Sequence, residues 1–235
     1  MSSPSSSTTS PSPSTRGLGV IAIVGAVAWI GTVAAFHLIR PDLSPGDAYI
    51  SNYARGEWAW VMQAAFLINA AGWAAAGLGL RRVLAPAPGA TALAVLGGVA
   101  ALGMSLAGIF RADPLLTTDP SLEGLIHSRT AGLAFLCFIA IGFVGWWAAR
   151  RSDAWGDWSL PSLAFGFTTL ILFVTFNAWP AVAGGGFGWW QRLLAAVVIP
   201  GALASVGWRL TREASRKDVA PQPHSRRPAE VRPAP

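Results

Sequence analysis

The chain has 235 residues, 53% of them hydrophobic and only 12% charged, with a mean hydropathy of +0.47. That composition excludes a soluble domain and indicates an integral membrane protein. The formal charge of +6 and a pI near 11.0 do not argue for nucleic acid, because the basic residues flank apolar runs or lie in the tail, where membrane orientation accounts for them. The single cysteine, Cys137, lies in an apolar run; it excludes an internal disulfide and a cysteine metal cluster and reads as a small core residue. Arg, Ala and Gly abound while lysine occurs once, at Lys217, a bias that points to a GC-rich, bacterial source.

In chain order, residues 1–16 are almost entirely Ser, Thr and Pro, which gives them nothing to bury and predicts a disordered cytoplasmic tail. Arg16 alone precedes a full-length apolar run, so the first helix reads as an uncleaved span rather than a signal peptide. Six apolar runs follow, at about 17–39, 58–80, 90–110, 130–149, 160–181 and 189–208. Each approaches the roughly 20 residues that a bilayer core requires. The predicted fold is therefore all-α, a polytopic six-transmembrane-helix bundle over 17–209, followed by a disordered basic tail over 210–235.

Six spans put both termini on one side. Arg81, Arg82, Arg150 and Arg151 fill the short second and fourth loops, and Arg209, Arg212, Arg216 and Lys217 follow the last span. On the opposite side Arg40, Arg55, Arg111, Arg129 and Arg192 are mixed with acids. The positive-inside rule then predicts a multi-pass protein of the cell membrane with cytoplasmic termini and an outward first loop. Tryptophans agree with this frame as interfacial anchors: Trp58, Trp60, Trp179, Trp189 and Trp190 outside, Trp146, Trp147, Trp155, Trp158 and Trp208 inside. Small residues in every span predict close helix packing.

The polar residues near the spans gather on the outward side. His37 ends the first span, Gln63 and Asn69 lie in the second, Arg111 and Asp113 follow the third, and His127 to Thr130 open the fourth. Thr175 and Asn177 lie near the end of the fifth span, and Gln191 and Arg192 begin the sixth. Polar and ionisable groups near membrane depth are costly and mark a cavity or a partner. An outward pocket is expected, with His37, Asp113, His127 and Arg192 in one cluster.

His37, the run RPDLSPGDAYISNYA from Arg40 to Ala54, GIFRADP from Gly108 to Pro114, His127 and the pair Gln191-Arg192 together resemble the family called domain of unknown function 998. The resemblance covers nearly all of 17–209 and leaves out both tails. It implies a six-span bacterial or archaeal membrane protein with an outward first loop, and a site rather than a mechanism. In architecture alone the chain is also similar to six-span eukaryotic proteins of lipid-anchor remodelling and autophagy.

Several chemistries fit these residues. Binding of a lipid head group or an envelope partner would use Arg40, Asp42, Arg111, Asp113, His127, Arg192, Gln63 and Asn177, the guanidiniums of Arg40, Arg111, Arg129 and Arg192 suiting phosphate. The acids Asp42, Asp47, Asp113, Asp119 and Glu123 could instead neutralise those arginines. A lipid hydrolase or transferase would use Ser51 as nucleophile, His127 or His37 as base, Asp113 as orienting carboxylate and Arg192 as anion stabiliser. No GxSxG elbow is present, and Ser51 could equally cap a helix starting near Asn52. A metal version would draw on His37, Asp113 and His127, with Asp42, although no HExxH-type spacing occurs. Transport is least favoured, since span centres offer only Thr168, Thr169 and Cys137. Membrane lipids are the expected partners, and no cofactor is assigned.

Overall fold

The first helix, α1 (Thr15–Ile39), starts where Ser14 accepts the Gly17 N–H through its hydroxyl at 3.0 Å. It stops before Pro41, which lacks the N–H a further turn would need. This computed structural model describes residues 14–114, 117–183 and 185–219. The expected tails over 1–13 and 220–235, Gly184 of the fifth loop, and the side chains of Trp179, Arg216 and Lys217 lie outside the described part.

A short 3₁₀ helix (Ile50–Ala54) interrupts the first loop. Then come α2 (Ala59–Leu84), α3 (Ala90–Ile109), α4 (Leu122–Ala149) and α5 (Ser159–Ala183). The sixth span is composite: α6 (Phe187–Arg192), a π-helical turn (Leu193–Val198) and α7 (Ile199–Val219). Six helices are thus long and apolar enough to cross a membrane, as the hydropathy pattern predicts.

Two boundaries differ from expectation. Helix α4 begins at Leu122 rather than near 130, because Ser121 caps it by accepting the Gly124 N–H at 3.0 Å; hydropathy cannot see this polar first turn. Helix α7 continues to Val219, past the expected end of the bundle at 209. The π turn has a local cause. Pro200 has no N–H to offer the carbonyl of Ala195, and the buried indole of Trp29 donates to that carbonyl instead, at 2.7 Å.

The helices form a ring in which each packs on its chain neighbours and α1 closes against α7. Small residues set the spacing. A Cβ on Gly142 would lie 2.4 Å from the Cα of Gly166, and one on Gly97 would lie 3.1 Å from the Cα of Gly77. Such approaches let backbones pack without a hydrophobic drive, which is weak between helices in lipid. The large aliphatics Val24, Val27, Leu102, Leu136 and Ile171 point outward instead. The interior is held partly by polar links: buried Asn69 donates to the Gly25 carbonyl at 3.0 Å across the α1–α2 crossing.

Candidate functional site

The loop end is organised by Arg192, only 6% exposed at the end of α6. Its Nη1 donates to the carbonyls of Pro45 and Ala48, each at 2.7 Å, and to that of Gly188 at 3.2 Å. Nη2 donates to the Tyr53 hydroxyl at 3.0 Å, and Nε donates to His37 Nε2 at 2.9 Å. The planar fork of five donors is well suited to such convergent acceptors. An arginine cannot give up its proton, so His37 must be neutral with its hydrogen on Nδ1, which donates to the Val33 carbonyl at 2.7 Å. His37 and Arg192 therefore come together, as expected, but as a brace for the first loop rather than as a ligand grip.

The loop is tied to α6 along its length. Gly188 N–H donates to the Gly46 carbonyl at 2.8 Å, and the Ile50 N–H donates to Gln191 Oε1 at 2.7 Å. The Asn52 side chain accepts the Tyr49 N–H at 3.1 Å and starts the 3₁₀ helix. Ser51 lies inside that helix and is not its cap.

A second group of predicted residues lies around a cleft of about 370 Å³ between the first loop, the start of α4 and the end of α5. Ser51, Asp113, His127, Asn177 and Gln191 line it together with Phe135, Phe173 and Phe176. His127 is 6% exposed, and its Nδ1 meets the carbonyls of Ala107 and Phe110 at 2.7 and 3.0 Å. Two carbonyls at one nitrogen require that it carry the hydrogen, which in a neutral ring leaves Nε2 as the acceptor nitrogen. A smaller apolar pocket of about 70 Å³ shares Ser51, His127, Phe135 and Gln191 with the cleft and continues it inward towards Trp29 and Asn69. Tyr49 adds a phenol whose pKa burial raises, so it remains a neutral donor.

The four residues expected in one cluster thus divide into His37 with Arg192 and Asp113 with His127. Asp113 does not orient His127. It accepts the Ser121 N–H and hydroxyl at 2.9 and 2.7 Å and holds the N-terminus of α4, where a carboxylate is favoured by the helix dipole. The expected metal set fails for the same reasons: among the described residues no three His, Cys, Asp or Glu side chains converge on one point. His37 is occupied by Arg192 and the Val33 carbonyl, and Asp113 by Ser121.

Of the other expected phosphate-gripping arginines, Arg40 and Arg111 are engaged within the protein, while Arg129 is exposed. Arg40 donates to Asp42 at 2.8 and 2.7 Å and to the Arg55 carbonyl at 2.6 Å. Arg111 pairs with Glu123, and Arg55 donates to the Ala112 carbonyl. Arg40 with Asp42 and Arg111 with Glu123 are neutralising pairs that the acids also allowed. Gln63 reaches only the Ile109 carbonyl, at 3.5 Å, while Asn177 sits at the cleft and donates to the Phe173 carbonyl at 2.7 Å. Of the aromatic belt, Trp58, Trp60, Trp189 and Trp208 are exposed, but Trp155 is 2% exposed and belongs to the interior. Hydropathy missed Tyr53, Trp29 and the π turn; Pro200 within a span was the available signal for the last.

No curated protein and no solved structure matches the chain. The family model described as "Protein of unknown function (DUF998)" matches residues 23–209. A match over most of the length, on a chain with six membrane-spanning helices, means that this multi-pass membrane protein belongs to the DUF998 family.

Proposed function

We propose that the loop-end cleft recognises an uncharged, hydroxyl-bearing head group of a lipid or another envelope component. On this reading the protein sits in the cell membrane with both termini cytoplasmic and the cleft outward. The arginine-rich second and fourth loops support that orientation. The observation that carries the binding reading is the mixed polar and aromatic lining of the cleft. Ser51, His127 Nε2, Gln191 and Asn177 offer hydrogen bonds beside a wall of phenylalanines, and the cleft leads into an apolar pocket. Among the described residues Asp113 is the one charged side chain in the wall, so an anionic head group gains no counter-charge there. Native mass spectrometry of protein purified in mild detergent tests the idea. A co-purifying lipid with a glycerol or sugar head should be present in the wild type and lost in His127→Ala and Asn177→Ala. Retention in both variants would refute it.

One observation favours a second reading, acyl transfer. The Ser51 hydroxyl has no hydrogen-bond partner among the described residues and lines the same two cavities as the unprotonated Nε2 of His127. In that case His127 Nε2 takes the Ser51 proton as Oγ attacks an ester carbonyl. The proton passes to the leaving alcohol, and water then releases the acid from the acyl-serine. Asp113 and Arg192 have no part in it, since Asp113 holds α4 and Arg192 braces the loop. Labelling with a fluorophosphonate probe should modify Ser51 in the wild type, much less in His127→Ala, and not at all in Ser51→Ala. An unlabelled wild type removes this reading and leaves the first.

A further inference from the structure

The arginine end of the bundle contains a larger cavity, of about 720 Å³, walled by α2, α3, α4, α5 and the π turn with α7. It exists because the helix ring is incomplete there. Helix α5 is held by α4 along its length and by α6 and the π turn near the loop end, but it scarcely touches α7. Ala164 on α5 and Ser205 on α7 are both exposed and both line the cavity, so it opens sideways between these helices, towards lipid. Its wall is apolar over most of its area, through residues such as Leu80, Leu93, Ile141 and Phe165.

Three buried donors in and beside this wall have no acceptor among the described residues. The indole N–H groups of Trp73 and Trp155, on residues 3% and 2% exposed, are unpaired, and so is Arg209 Nε. Both tryptophans line the cavity. Arg209 stacks on Trp155 with its guanidinium carbon 4.5 Å from the ring centre, while its other nitrogens donate to Asp157, at 2.6 and 2.9 Å, and to the Ala154 carbonyl. Leaving a donor unpaired inside a protein is costly, and lipid offers no water to relieve it. An acceptor brought by a ligand would. Around the mouth, this end of the chain through residue 213 carries seven arginines (Arg16, Arg81, Arg82, Arg150, Arg151, Arg209, Arg212) against three carboxylates, Asp153, Asp157 and Glu213.

We propose that this cavity is a second ligand site, which takes one acyl chain of an anionic phospholipid from the adjacent leaflet. The chain enters between α5 and α7 and fills the apolar volume, which is within the range of about 300–1,000 Å³ typical of small-molecule sites. Its ester carbonyl accepts from the buried Trp155 in the cavity wall, and the phosphate lies outside among the arginines. The site is independent of the loop-end cleft, at the opposite end of the bundle.

The test uses full-length protein, delipidated in detergent and titrated with dioleoyl phosphatidylglycerol or dioleoyl phosphatidylcholine under native mass spectrometry. Phosphatidylglycerol should bind more tightly by about fivefold, the factor that roughly 1 kcal/mol of added attraction to basic residues near an anionic head corresponds to. Ala202→Phe, which puts a ring into the cavity from α7, should weaken phosphatidylglycerol binding by roughly tenfold or more. Ala164→Phe, at an exposed position across the gap, should do the same and carries the test should the first variant not give monodisperse protein. Leu136→Phe, on the exposed face of α4 and in the lining of neither site, should bind as the wild type does. Equal binding of the two lipids, or undiminished phosphatidylglycerol binding in the filled variants, overturns the proposal.

Discussion

The two ends of the bundle use their polar residues in opposite ways. At the loop end five arginines stand with six carboxylates, and Arg192, Arg40, Arg55 and Arg111 all donate to acceptors within the protein. At the other end, through residue 213, seven arginines stand with three carboxylates, and Trp73, Trp155 and Arg209 hold buried donors with no acceptor among the described residues. The end richer in conserving hydrogen bonds is the one that must fix a long, proline-bearing loop. The comparison teaches that a costly polar residue at membrane depth marks either a chain that needs fixing or a ligand that is to come. Whether its bonds are already made distinguishes the two.

The strongest way to break this comparison is to remove Arg192. Arg192→Leu leaves the carbonyls of Pro45 and Ala48 and the Tyr53 hydroxyl without their donor, and each buried group so orphaned costs about 1–3 kcal/mol. The variant should lose at least roughly 3 kcal/mol of stability, read as a large drop in melting temperature in detergent. Arg192→Lys should fall between, since a lysine cannot fork across these acceptors. A leucine variant as stable as the wild type would return Arg192 to the role of a ligand grip.

A smaller effect sharpens the same contrast through the backbone. A Cβ on Gly188 would meet the carbonyl oxygens of Pro45, Ala48 and Gly46 at 2.3, 2.8 and 2.9 Å. Gly188→Ala should therefore push the first loop off α6 at a cost of about 1–3 kcal/mol. At Gly201 in α7 no atom lies within 4 Å of a built Cβ, so Gly201→Ala should be neutral or stabilise by up to about 1 kcal/mol, through the entropy of the unfolded chain. Parallel thermal melts of both variants check the pair. A destabilised Gly201→Ala with an unaffected Gly188→Ala would reverse the assignment of which end is tightly fitted.

Hydropathy made the bundle legible, because a span's length and apolarity are local properties of the chain. It placed five of the six helix ends on the loop side within a few residues and failed at α4, whose polar first turn is set by Ser121 and Asp113. Depth also placed Asp113, His127 and Asn177 at the loop end, where they line one cleft with Ser51, but it did not separate them from His37 and Arg192. What it could not supply was the partner of each group. Arg192 grips backbone carbonyls of a loop far away in sequence, and carbonyls have no sequence signature. The arginine-end cavity was equally illegible, because its Ala, Gly, Leu and Phe lining reads like any core, and it arises from two helices that fail to meet. Trp155 reads as a belt residue until its burial is known.

The smallest effect separates exposed from buried pairing at the loop end itself. Arg40 donates to Asp42 through Nε and Nη2, and that hydrogen-bonded guanidinium holds the Asp42 carboxyl below its ordinary value of 3.8. A carboxyl depressed in the folded state stabilises the fold above its unfolded pKa, and that contribution is lost as pH falls through the lower, folded value. Asp42 is fully solvated, so the pair is screened by salt and contributes far less than the buried donors of Arg192. Thermal melts at pH 6 and at pH values descending below about 4 should show a slight acid loss in the wild type. The loss should shrink at high salt and in Asp42→Asn. The link from Arg40 to the Arg55 carbonyl does not titrate, so the asparagine variant should keep its loop and lose only the acid sensitivity. An acid profile identical in wild type and Asp42→Asn would assign that sensitivity to another carboxyl and leave the exposed pair with no measurable part in holding the loop.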